Sequence, residues 1–364
     1  MNVKMLNHVS LDGDVIIKRG GAGSGAGSGA GSAAPSRPKW TGHADAEGLR
    51  AIGWTDEDIA YYQANGVNWN EEDDEYHKVS DDNKALYGVL TADNISTYKD
   101  RIVYLPKIDT SSKTSMSGMF DSCYSLTSIP LLDTSNVTNM NNMFRSCASL
   151  TSIPMLNTAN VMSMNGMFCN CYSLTSIPLL DTSNVTNMSN MFYSCYSLTS
   201  IPLLNTVNVT NMSNMFSDCY SLVSIPLLDT VNVVFMDDMF TSCYSLIAIP
   251  QLDTANVKYM NYTFSYCYSL VSIPLLDASN VVYMPGIFSS CYSLVTPNVK
   301  AARVALSINN SALLSKESLL YIINNEAATS AIAITLHSYA YERLATDADI
   351  VAALANHPNI SLAK

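Results

Sequence analysis

A single period of 24 residues runs through the middle of this chain and limits the folds open to it. Eight cysteines repeat at this spacing from Cys123 to Cys291, and phenylalanines keep the same interval from Phe120 to Phe288. One copy reads SLTSIPLLDTSNVTNMSNMFYSCY. A fixed period in the twenties with apolar anchors is typical of a solenoid, because one unit cannot bury its apolar face alone and stacks on its neighbours. The sequence therefore predicts an α/β repeat of eight coils over 105–296.

Each coil has a predicted strand and a predicted helix. The motif Met-x-x-Met-Phe-x-x-Cys places apolar residues at i, i+3, i+4 and i+7, which is one face of a short helix. The Leu and Ile of Ser-Leu-x-Ser-Ile-Pro suit a short buried parallel strand. Because proline has no N–H for a ladder, we expect this strand to stop at Ile129 and its equivalents.

A column of Asp and Asn follows the prolines. Its members are Asp133, Asn157, Asp181, Asn205, Asp229, Asp253 and Asp277. Asn replaces Asp in two coils, so the position requires an acceptor rather than a charge. An Asx turn, in which the side chain accepts a backbone N–H, meets that requirement. A ladder of calcium sites is the alternative.

The eight periodic cysteines are predicted to be buried free thiols, because stacked side chains point in parallel rather than at each other. Disulfides and metal ligation are the alternatives. Cys169 lies outside the period and is expected on the outer surface. The repeated methionines are predicted to fill the core. One tyrosine beside most of the cysteines is predicted to lie half buried with a wet hydroxyl, a structural role: Tyr124, Tyr172, Tyr196, Tyr220, Tyr244, Tyr268 and Tyr292.

Composition divides the chain into five predicted parts. They are a docking arm (1–19) with a strand at Asp14–Lys18, a Gly/Ala/Ser linker (20–38), a small acidic and mainly helical domain (39–104), the solenoid (105–296) and an α/β cap (297–364). A cap is required because an open last coil would expose core and strand edges.

Inside the cap, the pattern predicts three strands and two helices. They are strands near Val304–Ile308, Ala331–Leu336 and Ile360–Leu362, a helix over Ser315–Asn324, and a helix after Thr346 with a Thr346-x-x-Asp349 cap.

Charge and composition argue against several functions. A net charge of −12 disfavours nucleic acid as a partner. We find neither a signal peptide nor an apolar stretch that would insert into a membrane. The five histidines lie outside the repeats, so a Cys or Ser nucleophile there would lack the usual base. The sequence predicts no enzyme, no cofactor and no metal.

Aromatic residues in the later coils form the candidate binding site. Early coils carry Asn at positions where later coils carry Phe235, Tyr259 and Tyr283, and stacking would place these three in a column. Tyr259, Tyr262 and Tyr266 lie at i, i+3 and i+7, which would put them on one helical face. Clustered aromatic groups outside a core mark recognition surfaces, here for a glycan or a protein. The alternative is a patch that packs against the cap or a sister chain.

The repeat CYSLTSIPLLDTSNVTNMSNMF resembles the repeats of BspA-type leucine-rich repeat surface proteins of bacteria, over slightly more than half of the chain. The resemblance implies a leucine-rich-repeat-like, right-handed solenoid that acts in surface recognition, adhesion or partner binding without enzymatic activity.

The arm, linker and distal repeats resemble a bacteriophage tail-fibre or virion appendage, and LLSKESLLYIINN is similar to segments that close such repeats in phages, including crAss-like phages. This resemblance implies a virion protein, extracellular after lysis. It would bind other virion proteins through 1–19 and a host surface glycan or protein through the solenoid, as a homo-oligomer, by analogy a trimer. A bacterial cell-surface adhesin, an intracellular scaffold and a structural virion decoration protein are the alternatives.

Overall fold

The computed structural model describes the strand segments at 16–17, 67–70 and 75–78, then residues 92–99, 102, 105, 108–325 and 331–364. Eight coils stack between 108 and 296, numbered here 1 to 8 by their phenylalanines, Phe120 to Phe288. These rings form one buried column with parallel planes and centroids 5.3–5.9 Å apart. The predicted leucine-rich-repeat-like solenoid with a 24-residue period is confirmed.

The Met-x-x-Met-Phe-x-x-Cys segment is a series of tight turns, and the prediction of a short helix there is wrong. In coil 4 the N–H groups of Met191 and Cys195 donate to carbonyls three residues earlier. The N–H groups of Met188 and Phe192 donate instead to the next coil, at 3.1 and 3.0 Å. In an α-helix all of these N–H groups would donate to the carbonyl four residues earlier. Alternate donors therefore close the turns and join the coils.

Positive φ angles enforce this geometry. Two residues of every coil have φ between 51° and 64°, for example Asn190 at 57° and Ser194 at 58°. Such residues cannot continue a right-handed helix. The apolar spacing that predicted a helix is still met, because the turns also bury both methionines, the Phe and the Cys.

The Leu-x-Ser-Ile segments of coils 1 to 6, where a strand was predicted, contain bridge residues only at Ser128 and Ala248. Parallel bridges join successive coils at the residue before the first Met of the motif, in an unbroken series from Ser115 to Tyr283. A full strand, β4 (Ser272–Asp277), forms where coil 7 meets the cap. It runs through Pro274, so the expectation that proline ends the strand is wrong there. The ladder instead breaks register between Ile273 and Leu276, which accommodates the missing N–H.

The described parts of the N-terminal region are mainly strand. β1 (Ile16–Ile17) and β2 (Val67–Asn70) both pair antiparallel with β3 (Glu75–Lys78). β1 falls within the strand predicted at Asp14–Lys18. Valine and aromatic residues in VNWN and EYHK favour strand over the helix predicted for this domain. The rest of the domain before residue 92, on which most of the predicted helical structure falls, lies outside the described residues. The short helix α1 (Ile95–Tyr98) precedes the solenoid.

The cap closes the C-terminal end by extending the stack. β5 (Thr296–Lys300) pairs parallel with β4, and a second parallel sheet has the order β6-β7-β8. The remaining elements are β6 (Leu306–Ile308), α2 (Lys316–Asn324), β7 (Ile332–Leu336), α3 (Ser338–Leu344), α4 (Ala348–Asn356) and β8 (Ile360–Ala363).

Most of the cap agrees with the sequence prediction, with three corrections. The Ser315 hydroxyl accepts the Ser318 N–H at the start of α2, which makes Ser315 the cap residue. Helix α3 was not predicted. The cap of α4 is Asp347 rather than Thr346, because the Asp347 carboxylate accepts the Asp349 N–H at 3.0 Å.

Candidate functional site

The aromatic column predicted from the sequence is formed. Parallel bridges join Phe235 to Tyr259 and Tyr259 to Tyr283, so the three residues lie at the same position of consecutive coils. The rings of Phe235 and Tyr259 stack with centroids 5.2 Å apart. Phe235 and Tyr283 are exposed and Tyr259 is half buried. The inter-coil hydrogen bonds fix this column, because they set each coil directly over the last.

Tyr262 and Tyr266 lie in turns rather than on a helix, so the argument from a shared helical face is wrong. They occupy the two positive-φ positions of coil 7, with φ of 51° and 59°, and both are exposed. Every other coil has Gly, Asn, Asp or Ser at these positions. Positive φ at a bulky residue is a rare backbone conformation that costs free energy, and such conformations cluster at functional sites.

The two strained tyrosines point to different neighbours. The Tyr262 ring lies over Gly286 of the next coil, where an added Cβ would come within 2.4 Å of the ring. The Tyr266 ring meets Tyr268 edge to face at 6.3 Å. Coil 7 therefore presents an aromatic surface that runs from the column to the tyrosine ladder.

The tyrosine ladder is a continuous stack from Tyr172 to Tyr292, with centroids 4.5–5.6 Å apart. Ala148 separates Tyr124 from it. Its inner members are half buried, as predicted, while those near its ends are exposed. Burial, with nearby Asp218, raises the pKa of Tyr220 to about 12. Stacking hides the ring faces, so the ladder presents ring edges and hydroxyls.

The column of Asp and Asn caps turns, as predicted. Each side chain accepts the N–H two residues on, at 3.0–3.3 Å. Hydrogen bonds from Ser135 hold the pKa of Asp133 below its ordinary value, and those from Ser183 do the same for Asp181.

Sequence reasoning missed an asparagine ladder beside this column. Each member donates its amide N–H to a backbone carbonyl of the preceding coil, at 2.7–3.0 Å: Asn136, Asn160, Asn184, Asn208, Asn232, Asn256 and Asn280. The signal was an Asn that never varies where its column neighbour does.

The periodic cysteines are buried free thiols, as predicted. From coil 2 onward each Sγ lies 2.9–3.2 Å from the carbonyl oxygen of a Phe in the preceding coil. Burial raises the pKa of the Cys195 thiol well above its ordinary value. Cys169 is partly exposed, and burial raises its pKa against the lowering effect of Arg145. These thiols can donate hydrogen bonds but are poor nucleophiles.

No group of three or more His, Cys, Asp or Glu side chains is placed to hold a metal ion in the described part of the chain. No helix within the same residues has the length and apolarity needed to cross a membrane.

Comparison with known proteins places the repeats in a family. Three overlapping matches at 93–201, 173–272 and 224–306 fit the family described as "Mycoplasma protein of unknown function, DUF285", and together they span more than half of the chain. The chain belongs to this family. A search of curated proteins found no match to this DUF285 protein.

Solved leucine-rich repeat proteins resemble the DUF285 chain at low similarity. A T. pallidum leucine-rich repeat protein is 24% identical over 46% of this chain and 76% of its own length, with a TM-score of 0.37. A leucine-rich cell surface protein of Faecalibacterium prausnitzii is 17% identical over 65% and 71%, with a TM-score of 0.34. A leucine-rich repeat protein of Bacteroides ovatus is 14% identical over 72% and 88%, with a TM-score of 0.22. The fold assignment rests on this chain's own hydrogen bonds and ring columns.

Proposed function

We propose that this protein is a non-enzymatic recognition protein whose solenoid binds a glycan or protein on a cell surface through the aromatic patch of coils 6 to 8. The patch consists of Phe235, Tyr259, Tyr262, Tyr266 and Tyr283. The observation that carries the proposal is the pair of exposed tyrosines at positive φ in coil 7. Seven coils show that the fold prefers small or polar residues there, so folding stability alone does not explain Tyr262 and Tyr266.

The physical chemistry of the patch suits binding. Exposed aromatic rings provide a large apolar contact area at low conformational cost, and their hydroxyls supply hydrogen bonds. Inter-coil hydrogen bonds hold the backbone of the patch, since the N–H groups of Tyr262 and Tyr266 donate to Pro285 and Ser289 at 3.0 and 2.7 Å. A surface fixed before binding loses little entropy on complex formation.

The setting of this binding is part of the proposal. A virion appendage would hold the particle through 1–19 and carry the solenoid to a host cell. A bacterial cell-surface adhesin would use the same patch from a cell envelope, and a structural virion protein would not use it at all. Mass spectrometry of purified phage particles and of washed cells from the same source distinguishes these settings. Stoichiometric presence in particles supports the appendage, and presence in envelopes alone rejects it.

Substitutions copied from other coils test the patch itself. Tyr259→Asn restores the residue found at Asn187 and Asn211, and Tyr262→Asn restores that found at Asn190. We expect the double variant to lose binding to source cells by roughly tenfold or more, because two aromatic contacts are removed. Thermal unfolding should be unchanged or shifted upward, since Asn tolerates positive φ better than Tyr.

The matched control is Tyr124→Asn, which removes an exposed tyrosine from coil 1, remote from the patch. It should bind as the unaltered protein does. Normal binding by the Tyr259→Asn, Tyr262→Asn variant would refute the proposed site. Glycosidase and protease treatment of the cells, run in parallel, identifies the ligand as glycan or protein.

A further inference from the structure

A stripe of apolar side chains runs along the outer face of five consecutive coils. Its members follow the prolines of the repeat, and each is between 59% and 64% exposed: Leu131, Met155, Leu179, Leu203 and Leu227. The next residue of each coil, such as Leu204 after Leu203, is buried. Neighbouring side chains of an extended segment point to opposite faces, so a Leu-Leu pair necessarily turns one leucine outward.

The stripe has a defined end. Coil 6 carries Gln251 at this position, and its amide donates to the carbonyls of Leu252 and Leu275, both at 2.8 Å. An open groove at this end is lined by Leu203, Leu227 and Gln251, with Asp229 beside them. The apolar surface is therefore bounded along the solenoid and is not a feature of every repeat.

The two borders of the stripe differ in charge. On one side runs the Asx column, which brings the carboxylates of Asp133, Asp181 and Asp229 to the surface. On the other side runs an exposed column of serines: Ser128, Ser152, Ser176, Ser200 and Ser224. The face is therefore acidic along one edge, uncharged along the other and apolar between them.

We propose that this stripe is the contact between two copies of the chain, which lie side by side with parallel solenoids about a two-fold axis along the solenoid direction. The argument from periodicity is that both copies have the same rise per coil, about that of stacked strands. Each coil of one copy then meets a coil of the other along the whole stripe. A partner with another spacing would drift out of register within a few coils.

Charge selects the parallel arrangement over the antiparallel one. A two-fold axis along the solenoid sets the Asx column of each copy against the serine column of the other, where hydroxyls can donate to carboxylates. An antiparallel pair would set Asp133, Asp181 and Asp229 against their own counterparts, and like charges repel.

The area also fits an interface between copies. Five side chains at this exposure offer roughly 400 Å² of apolar surface per copy, which is in the range of the largest apolar patch on a typical monomer, a patch that is often functional. A standard interface buries about 800 Å² per partner with a polar rim, which the serines and Asx residues would supply. Along the coil the Asx turn separates the stripe from the aromatic column, so the dimer leaves the proposed recognition site free.

The first experiment measures mass against concentration for the full chain by analytical ultracentrifugation. We expect a dimer that dissociates on dilution. The variant Leu179→Gln with Leu203→Gln places glutamine at two stripe positions, as Gln251 does in coil 6. It should weaken the dimer by roughly tenfold or more. Met162→Gln is the control, because Met162 is equally exposed outside the stripe. It should leave the dimer intact.

The second experiment determines the direction of the two copies by cross-linking with a short bis-maleimide in a Cys169→Ser background. In a parallel pair each stripe position faces the same position of the other copy, so both Leu131→Cys and Leu179→Cys give cross-linked dimers. In an antiparallel pair centred on the stripe only Leu179→Cys does. The periodic cysteines are buried and should not react.

Three results would overturn the proposal. These are a monomer at all concentrations, a dimer unaffected by the Leu179→Gln, Leu203→Gln variant, and cross-linking by Leu179→Cys without Leu131→Cys. Circular dichroism of each variant guards against misfolding. Cell binding by the monomeric variant keeps this test separate from that of the aromatic patch, since loss of the dimer leaves the patch intact.

Discussion

At the scale of the residue, the backbone state at two positions per coil governs what each coil can carry. Gly, Asn, Asp and Ser tolerate positive φ, and they occupy these positions everywhere except at Tyr262 and Tyr266. The same positions stack from coil to coil, so a side chain at one constrains the next. Tyr262 covers Gly286 as Asn142 covers Gly166.

This packing predicts the cost of adding one methyl group. Gly286→Ala should lower the free energy of unfolding by roughly 2 kcal/mol or more, because the new Cβ has positive φ and meets the Tyr262 ring. Urea unfolding followed by circular dichroism measures the change.

Gly118→Ala is the control, because Gly118 has φ of 63° but its nearest neighbouring atom would lie 3.8 Å away. It should cost about 1 kcal/mol, the backbone penalty alone. Gly286→Ala combined with Tyr262→Gly should recover the difference. Equal costs for both alanine variants would contradict the placement of the Tyr262 ring.

At the scale of the element, each Asx turn is bonded within its coil and to both neighbours. The Asp or Asn accepts its own coil's N–H, the following Thr donates from most coils to a carbonyl of the next coil, and the Asn ladder donates to the previous one. The bond within the coil requires only an oxygen, which is why Asn157 and Asn205 can replace aspartate. The ionised carboxylate is still the better acceptor.

This turn predicts a pH dependence of stability. The pKa values of Asp133 and Asp181 are lowered from the ordinary 3.8 by hydrogen bonds from Ser135 and Ser183. A carboxyl with a lowered folded-state pKa stabilises the fold fully above its unfolded pKa, and that contribution is lost as pH falls through the folded value. Stability should therefore fall below about pH 4.

Asp133→Asn with Asp181→Asn tests this origin. The variant should unfold at nearly the same temperature at neutral pH, and its stability should fall less steeply in acid. Melting curves between neutral pH and about pH 3 give both quantities. An unchanged acid slope would mean that other carboxyl groups cause the loss.

At the scale of the whole molecule, stability is distributed along a line. Among the described residues, hydrogen bonds join each coil to the next and the Phe column passes through all eight, so the array approximates a one-dimensional chain of coupled units. The cap extends this chain with β5 on β4 and covers the last coil.

Phe216→Ala tests how far this coupling reaches. Phe216 is fully buried and stacks at 5.6 Å on both Phe192 and Phe240, so its loss should cost about 3–5 kcal/mol. Hydrogen exchange of backbone N–H groups should accelerate most in coils 4 to 6 and little in coil 1. Uniform acceleration along the solenoid would instead show one cooperative unit.

Sequence by itself determined the period, the number of coils, the buried Phe and Cys columns, the Asx turns and most of the cap. These features follow from spacing and from local chemistry, which a linear sequence carries. The tertiary structure alone decided that Met-x-x-Met-Phe-x-x-Cys forms turns. Half of the backbone N–H groups of this motif donate to the next coil, and they can do so only when a neighbouring coil offers a carbonyl. The Asn ladder and the packing of Tyr262 over Gly286 have the same origin, since each depends on what stacking places beside a residue from another coil.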